Sequence, residues 1–411
     1  MKTIKISQLK EKRILGRTAF GACINADANT VANTDAETGT DSGNCSDALS
    51  AEDIKVTGDG SLALFWAASA LEFSVHSSAV WIQLSADYDS KEPWISVYIN
   101  QSPVSRFMVE KGEPRWFCIA NNLNPQKDNL ITIYKDTQPM SDDTRHSLFI
   151  HQAGLSDDGE FIPLKPRKLK LEFVGDSITS GEGLAGSPDE MEWITQWFAG
   201  SKTYAAQTAR TLDADFSVVS QCGWGFCWGW DGNRNSRIPP FYEQVCGVMQ
   251  GDFQKSIGSQ LAWDFKGGSD FVIINLGTND NGAFFQPPWM QSEKGEEYKL
   301  TSENGKICKK DAALIQENAI EFLKKVRRCN PNAKIIWCWG MIPLDLIPPV
   351  IKTSVEEYKK TSGDKDVYLL EFDSMNELEK LPEDKGSRGH PGPKTHKIAA
   401  QKLVEMIRSL M

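Results

Sequence analysis

Four short blocks of the chain carry side chains that can perform acyl transfer together. Gly175-Asp176-Ser177-Ile178-Thr179 sets a hydroxyl in a tight turn. Cys222-Gly223-Trp224-Gly225 and Gly277-Thr278-Asn279-Asp280 supply a glycine and a carboxamide, and His390-Pro391 supplies an imidazole. A serine hydroxyl is a weak nucleophile at neutral pH and needs an adjacent base, for which histidine is the usual choice. The tetrahedral intermediate then needs preorganised donors. The backbone N–H groups of Ser177 and Gly223 and the amide of Asn279 are of the right type for an oxyanion hole. Ser177 is then the nucleophile and His390 the base. His396 is the competing imidazole, but it falls at a helix start, where a capping or supporting role fits better than that of a base.

These residues need strands to hold them. Leu169–Gly175 is an apolar run with Lys170 and Glu172 interleaved, short enough to be one strand ending at the serine. Further apolar strands are predicted at 216–220, 270–277, 333–340 and 367–372. They alternate with helical segments, of which 311–328 and 396–411 show the clearest apolar face. That alternation predicts an α/β fold whose parallel sheet is covered on both faces, with ligands outside the carboxyl ends of the strands. Residues 1–165 read differently. Seven short β-rich runs, at 62–66, 71–76, 79–85, 94–100, 115–120, 129–135 and 147–152, are separated by turn formers and predict an all-β sandwich. Ala22–Asp47 reads as a long loop and Ser156–Lys168 as a linker, dividing the chain into an all-β unit, 1–165, and an α/β unit, 166–411.

The four blocks resemble the SGNH (GDSL) hydrolases, named for their Ser, Gly, Asn and His, over roughly residues 169–411. The resemblance implies a flavodoxin-like α/β domain that hydrolyses esters through a serine, with no metal and no cofactor. With an all-β unit ahead of it, Gly-Asp-Ser-Ile-Thr-Ser-Gly-Glu-Gly, Asn-Leu-Gly-Thr-Asn-Asp and His-Pro-Gly-Pro-Lys-Thr-His are similar to carbohydrate esterase family 2. Those are two-domain acetylesterases that remove O-acetyl groups from sugars, and the implied N-terminal domain is a jelly-roll-like sandwich. One position departs from the pattern. SGNH enzymes usually carry Asp three residues before the histidine, and here that residue is Ser387. A backbone carbonyl or a side-chain acceptor would then have to fix the tautomer, as in a Ser–His dyad, unless Asp384 or Glu383 folds back.

Thirteen tryptophans are unusual for this length, and several fall in Gly/Pro-rich insertions after the catalytic blocks. Trp224, Trp228, Trp230 and Trp289 are candidates for stacking on a sugar ring, with Arg234 as a hydroxyl partner; a satellite core is the competing explanation. The expected substrate is a small acetylated saccharide. A lipid or thioester hydrolase on the same site and an inactive carbohydrate-binding protein are the alternatives. The 411 residues carry a net charge of −10, which argues against nucleic-acid or anionic-membrane partners. Nine scattered cysteines in no paired metal-ligand spacing, with no apolar leader, read as a cytoplasmic protein.

Overall fold

The computed structural model describes residues 1–20, 60–291, 295–376 and 384–411. The Ala22–Asp47 stretch and Glu383 lie outside them. The architecture is mixed α/β, with antiparallel sheets in the N-terminal part and one parallel sheet after it.

The parallel sheet has five strands in the order Ala214–Ser220, Leu169–Gly175, Phe271–Asn275, Lys334–Trp339, Val367–Glu371. In chain order this is 2-1-3-4-5, so the order in which strands are added reverses between the first and third strands, all of them staying parallel. Ligands bind at such a switch point in open α/β sheets. The strands are apolar because both faces are covered. Phe173 packs with Tyr204 and Leu403 on one side, while Val174 and Ile274 pack with Phe322 and Val355 on the other. The two predicted helices are present as Lys309–Cys329 and Pro393–Leu410. The latter starts earlier than its apolar pattern suggests, because Gly392 and Pro393 form its first turn.

Before residue 165, all seven predicted strands are found, in two antiparallel sheets whose inward side chains share one apolar cluster that includes Phe73, Ile82, Val97, Ile133 and Ile150. Five further strands escape the sequence pattern. Ser102–Met108 is an edge strand with a bulge, Pro103 and an exposed surface, so it has no buried face to produce alternation. Lys2–Lys5, Lys12–Leu15, Thr18–Phe20 and Glu160–Ile162 are too short to show a period. The last of these corrects the expected linker: Glu160–Ile162 pairs with His76, Val75 and Ser74, and Phe161 meets Phe73 edge to face. Arg167, further along the same stretch, is ion-paired to Glu72, Asp213 and Asp215.

The N-terminal sheets and the parallel sheet are joined by a buried interface. Ala63, Phe65 and Trp66 belong to the same apolar cluster as Val219, Tyr242 and Val245, and the Trp66 indole donates to the Val245 carbonyl at 2.6 Å. Arg17 crosses the same boundary to Glu172 on the strand that ends at the serine, at 2.6 Å.

His396 is fully buried, and its Nδ1 accepts the Tyr204 backbone N–H at 3.0 Å, a supporting role. Burial pulls its pKa down to about 3. Between about pH 3 and 6.5 the unfolded chain therefore binds a proton that the native ring refuses. Stability then falls on acidification by up to about 1.4 kcal/mol per pH unit for this ring. His396→Asn keeps an acceptor for Tyr204 and removes the titration. Its urea midpoint should fall less steeply than that of the parent between pH 6.5 and 4.5.

Candidate active site

Ser177 follows the first parallel strand as the first residue of a single helical turn, Ser177–Ser180. Asp176 caps that turn, accepting the Ile178 N–H at 3.0 Å, and is a structural residue as its position in a turn suggests. His390 Nε2 stands 3.0 Å from Ser177 Oγ, a hydrogen bond between the candidate nucleophile and the candidate base. Residues 213 positions apart in sequence are brought together by Gly183. Its φ of +75° is left-handed, and a Cβ there would stand 2.4 Å from the Ser387 carbonyl and 3.1 Å from His390 Cβ. Only glycine lets the serine loop approach the histidine loop so closely, and the Gly183 carbonyl accepts the Ser387 N–H at 2.9 Å.

Ser177, Gly223, Asn279 and His390 line one cleft of about 460 Å3, inside the range of about 300–1,000 Å3 common to small-ligand sites. Gly223 also has a φ of +75°, and its carbonyl accepts the Trp230 N–H at 2.9 Å. The Asn279 amide donates one hydrogen to the Trp224 carbonyl at 2.9 Å, which fixes the plane of the group that would hold an oxyanion. Behind it, the buried carboxyl of Asp280 takes the N–H groups of Phe226, Cys227 and Trp228 at 2.8–3.3 Å. Burial pushes this carboxyl up to about 7 against those three donors. The Gly and Asn blocks are thereby tied into one unit.

His390 Nδ1 is buried and meets no partner among the described residues. Asp384 does not serve it. Its carboxylate accepts the Thr395 N–H at 2.6 Å and Thr395 Oγ1 at 2.9 Å, in the first turn of the C-terminal helix. Asp384→Asn should therefore cost about 1 kcal/mol of stability, as lost helix caps do, and leave kcat within about threefold of the parent. Thermal unfolding and steady-state kinetics on one preparation check both. A different carboxylate stands beside the ring: Glu182 Oε2 lies 3.6 Å from His390 Nε2, and Glu182 Oε1 accepts from Arg388 Nε at 3.1 Å. Glu182 and Arg388 were not singled out from sequence. Glu182 sits in the Gly-Glu-Gly turn beside the serine, which was the available signal.

Of the aromatic candidates, Trp224 and Trp230 line the cleft, joined by Trp193. Trp230 is 52% exposed, so its ring offers a face to a ligand. Trp228 does not: it is buried in the core, and its indole donates to the Asp280 carbonyl at 3.1 Å. Trp289 and Arg234 also stand apart from the cleft lining. Trp289 stacks on Tyr298 at 5.8 Å, and the Arg234 guanidinium lies over the same Tyr298 ring at 4.1 Å. The insertions thus divide between both explanations, Trp228 packing on Phe284 and Trp289 on Tyr298 while Trp224 and Trp230 line the cleft.

Residues 173–398 match the GDSL-like Lipase/Acylhydrolase family. The chain belongs to that family. Among solved structures it is similar to an acetyl xylan esterase (Est2A) from the rumen bacterium Butyrivibrio proteoclasticus, with 32% identity and a TM-score of 0.85, covering 100% of this chain and 99% of the other. It is also similar to a family two carbohydrate esterase from Clostridium thermocellum, solved in complex with cellohexaose. There the identity is 21% and the TM-score 0.68, over 86% of this chain and 96% of the other, which is a likeness of fold. A curated relative, the cellulase/esterase CelE of Acetivibrio thermocellus, is 25% identical over 84% of this chain, and the match spans 37% of the relative's length. The family and the position of its four blocks agree with the resemblance seen in sequence.

Proposed function

We propose that the protein is a serine esterase that removes O-acetyl groups from carbohydrate. The observation that carries this reading is the 3.0 Å contact of His390 Nε2 with Ser177 Oγ, in a cleft that also presents Gly223 and Asn279. Ser177 Oγ attacks the acetyl carbonyl as its proton passes to His390 Nε2. The oxyanion is held by the Ser177 and Gly223 N–H groups and the free hydrogen of the Asn279 amide. Collapse of the intermediate expels the sugar oxygen, which takes the proton from His390 and leaves acetyl-Ser177. Water, deprotonated by the same imidazole, releases acetate and restores the serine.

Glu182 answers a need this mechanism creates. Each half-reaction forms an imidazolium, and the nearest carboxylate to it is Glu182, at 3.6 Å. A carboxylate at that distance is placed to stabilise the positive charge that develops on the ring in the transition state. Glu182→Gln should lower kcat on p-nitrophenyl acetate about tenfold or more with KM changed less than threefold. An unchanged kcat would remove Glu182 from the mechanism.

A sugar fits the cleft better than an acyl chain. Gln138, Gln221, Arg388 and Asp142 alternate with the indoles of Trp193, Trp224 and Trp230, a mixture of hydrogen-bonding groups and flat faces in place of an apolar groove. The name of the Butyrivibrio relative, an acetyl xylan esterase, supports the same class. The 2-1-3-4-5 strand order supports a flavodoxin-like catalytic unit, 166–411, and the shared core of the two antiparallel sheets supports a jelly-roll-like sandwich, 1–165. The test is acetate release across a panel of acetylated oligosaccharides, beside a chain-length series of aryl esters. Preference for long acyl chains would turn the reading to a lipid hydrolase. Glycan binding with no fluorophosphonate labelling of Ser177 would turn it to a binding protein.

A further inference from the structure

The cleft is not built from the α/β part alone. Gln138, Ser141 and Asp142 reach it from the turn that follows the antiparallel strand Asn129–Lys135. We propose that Gln138 is a positioning residue for the oxyanion hole, holding the Cys222-Gly223 turn in place from the N-terminal β part. This rests on the serine-esterase reading of the same site.

The geometry is a chain of fixed contacts. Gln138 Oε1 accepts the backbone N–H of Cys222 at 2.8 Å, so it fixes the Gln221–Cys222 peptide, one peptide before the one that carries the Gly223 N–H. A second tie runs from Gln221 Nε2 to Ser141 Oγ at 3.2 Å, one residue further back. The two meet a turn whose central glycine is left-handed and whose N–H must be aimed at a developing negative charge.

The strut is rigid at its own base. Lys135, Asp136 and Thr137 are fully buried, and Gln138 is 2% exposed. The Lys135 ammonium donates to the Thr137 and Gln138 carbonyls at 2.7 and 2.8 Å, folding the backbone around itself. Asp136 is held by Arg106 Nε at 3.0 Å and accepts the Ser201 N–H at 2.9 Å, so the same turn is clamped to the α/β part on its other side. Buried polar side chains cost free energy unless satisfied; the Lys135 and Asp136 bonds meet that cost at two of the three positions, while Thr137 Oγ1 meets no partner among the described residues. A turn built only to connect two strands needs none of this.

The consequence is specific. Losing one oxyanion donor costs about a hundredfold to a thousandfold in kcat, and misaiming one costs part of that. Gln138→Leu should lower kcat on p-nitrophenyl acetate about tenfold to a hundredfold with KM changed less than threefold. Active sites are counted by fluorophosphonate titration so that misfolded molecules do not enter. The rate of fluorophosphonate labelling, which passes through a similar oxyanion, should fall in parallel. Gln138→Glu retains an oxygen at the same reach and should recover most of kcat. If Gln138→Leu keeps kcat per titrated site within twofold, or if Glu fails to rescue it, the strut is only structural and the proposal falls. An inactive parent protein would overturn the esterase reading and this one together, whereas an active parent with an indifferent Gln138→Leu overturns this one alone.

Discussion

Ser177→Ala should lower kcat/KM for p-nitrophenyl acetate by about 10^4-fold or more, with His390→Ala close behind and the double variant no worse than either. The expectation follows from the pair acting as a unit. Ser177 Oγ and His390 Nε2 share one hydrogen bond at 3.0 Å, and the proton that leaves one arrives at the other. Removing either partner removes the same step, so the losses do not add. Residual activity should then come from Gly223, Asn279 and the cleft, which stay in place. Fluorophosphonate labelling should be abolished in Ser177→Ala and strongly slowed in His390→Ala. Full activity in either single variant would refute the assignment, and additive losses would mean that serine and histidine act in different steps. The same series separates His390 from His396, because His396 is buried on Tyr204 and its replacement should affect stability before turnover.

The four blocks that mark the family were legible in sequence because each sits at a punctuation mark. Leu169–Gly175 ends in a glycine-bounded turn, and Phe271–Asn275 runs into Gly277-Thr278-Asn279. Strands buried on both faces leave continuous apolar runs, and the chemistry begins where the run stops. The β-rich runs were legible for a related reason: Val80–Asp87 alternates buried and half-buried positions along its whole length.

What stayed hidden is whatever depends on contact between distant segments. Trp228 and Trp230 are two residues apart in one Trp/Gly loop, yet one is core and the other faces the cleft. Their sequence context is the same, and only the course of the backbone around Gly229 decides. Asp384 looked like the carboxylate nearest to His390 along the chain, but the helix that begins at Pro393 claims it first. Glu182 reaches the ring from 208 residues earlier in the numbering, through a glycine turn that no local rule would aim at a histidine. Gln138 is the clearest case, since it lies in the other half of the molecule, across a boundary that the sequence presents as a simple linker.

That boundary leads to the largest expected effect on stability. Arg17→Met should cost about 3–5 kcal/mol, read from the denaturant midpoint. Arg17 is fully buried; it donates to the Gln244 carbonyl at 2.9 Å and to the Tyr242 carbonyl, and its guanidinium lies 4.9 Å from the Tyr242 ring. Its charge partner, Glu172, is buried as well and is also held by Tyr242 Oη at 2.5 Å. Methionine fills much of the same space and leaves Glu172 as a buried carboxylate without its cation, which is the source of the cost. Replacing both residues, Arg17→Met with Glu172→Gln, removes the orphan charge and should recover a substantial part of the loss, giving a coupling of about 2 kcal/mol or more in a double-mutant cycle. If the single variant unfolds at the parent midpoint, the ion pair does not join the two parts. If the double variant is as unstable as the sum of the singles, packing around Arg17 accounts for the loss and charge does not. Glu172 lies on the strand that ends two residues before Ser177, so the pair that locks the N-terminal sheets onto the parallel sheet also anchors the strand that leads into Ser177.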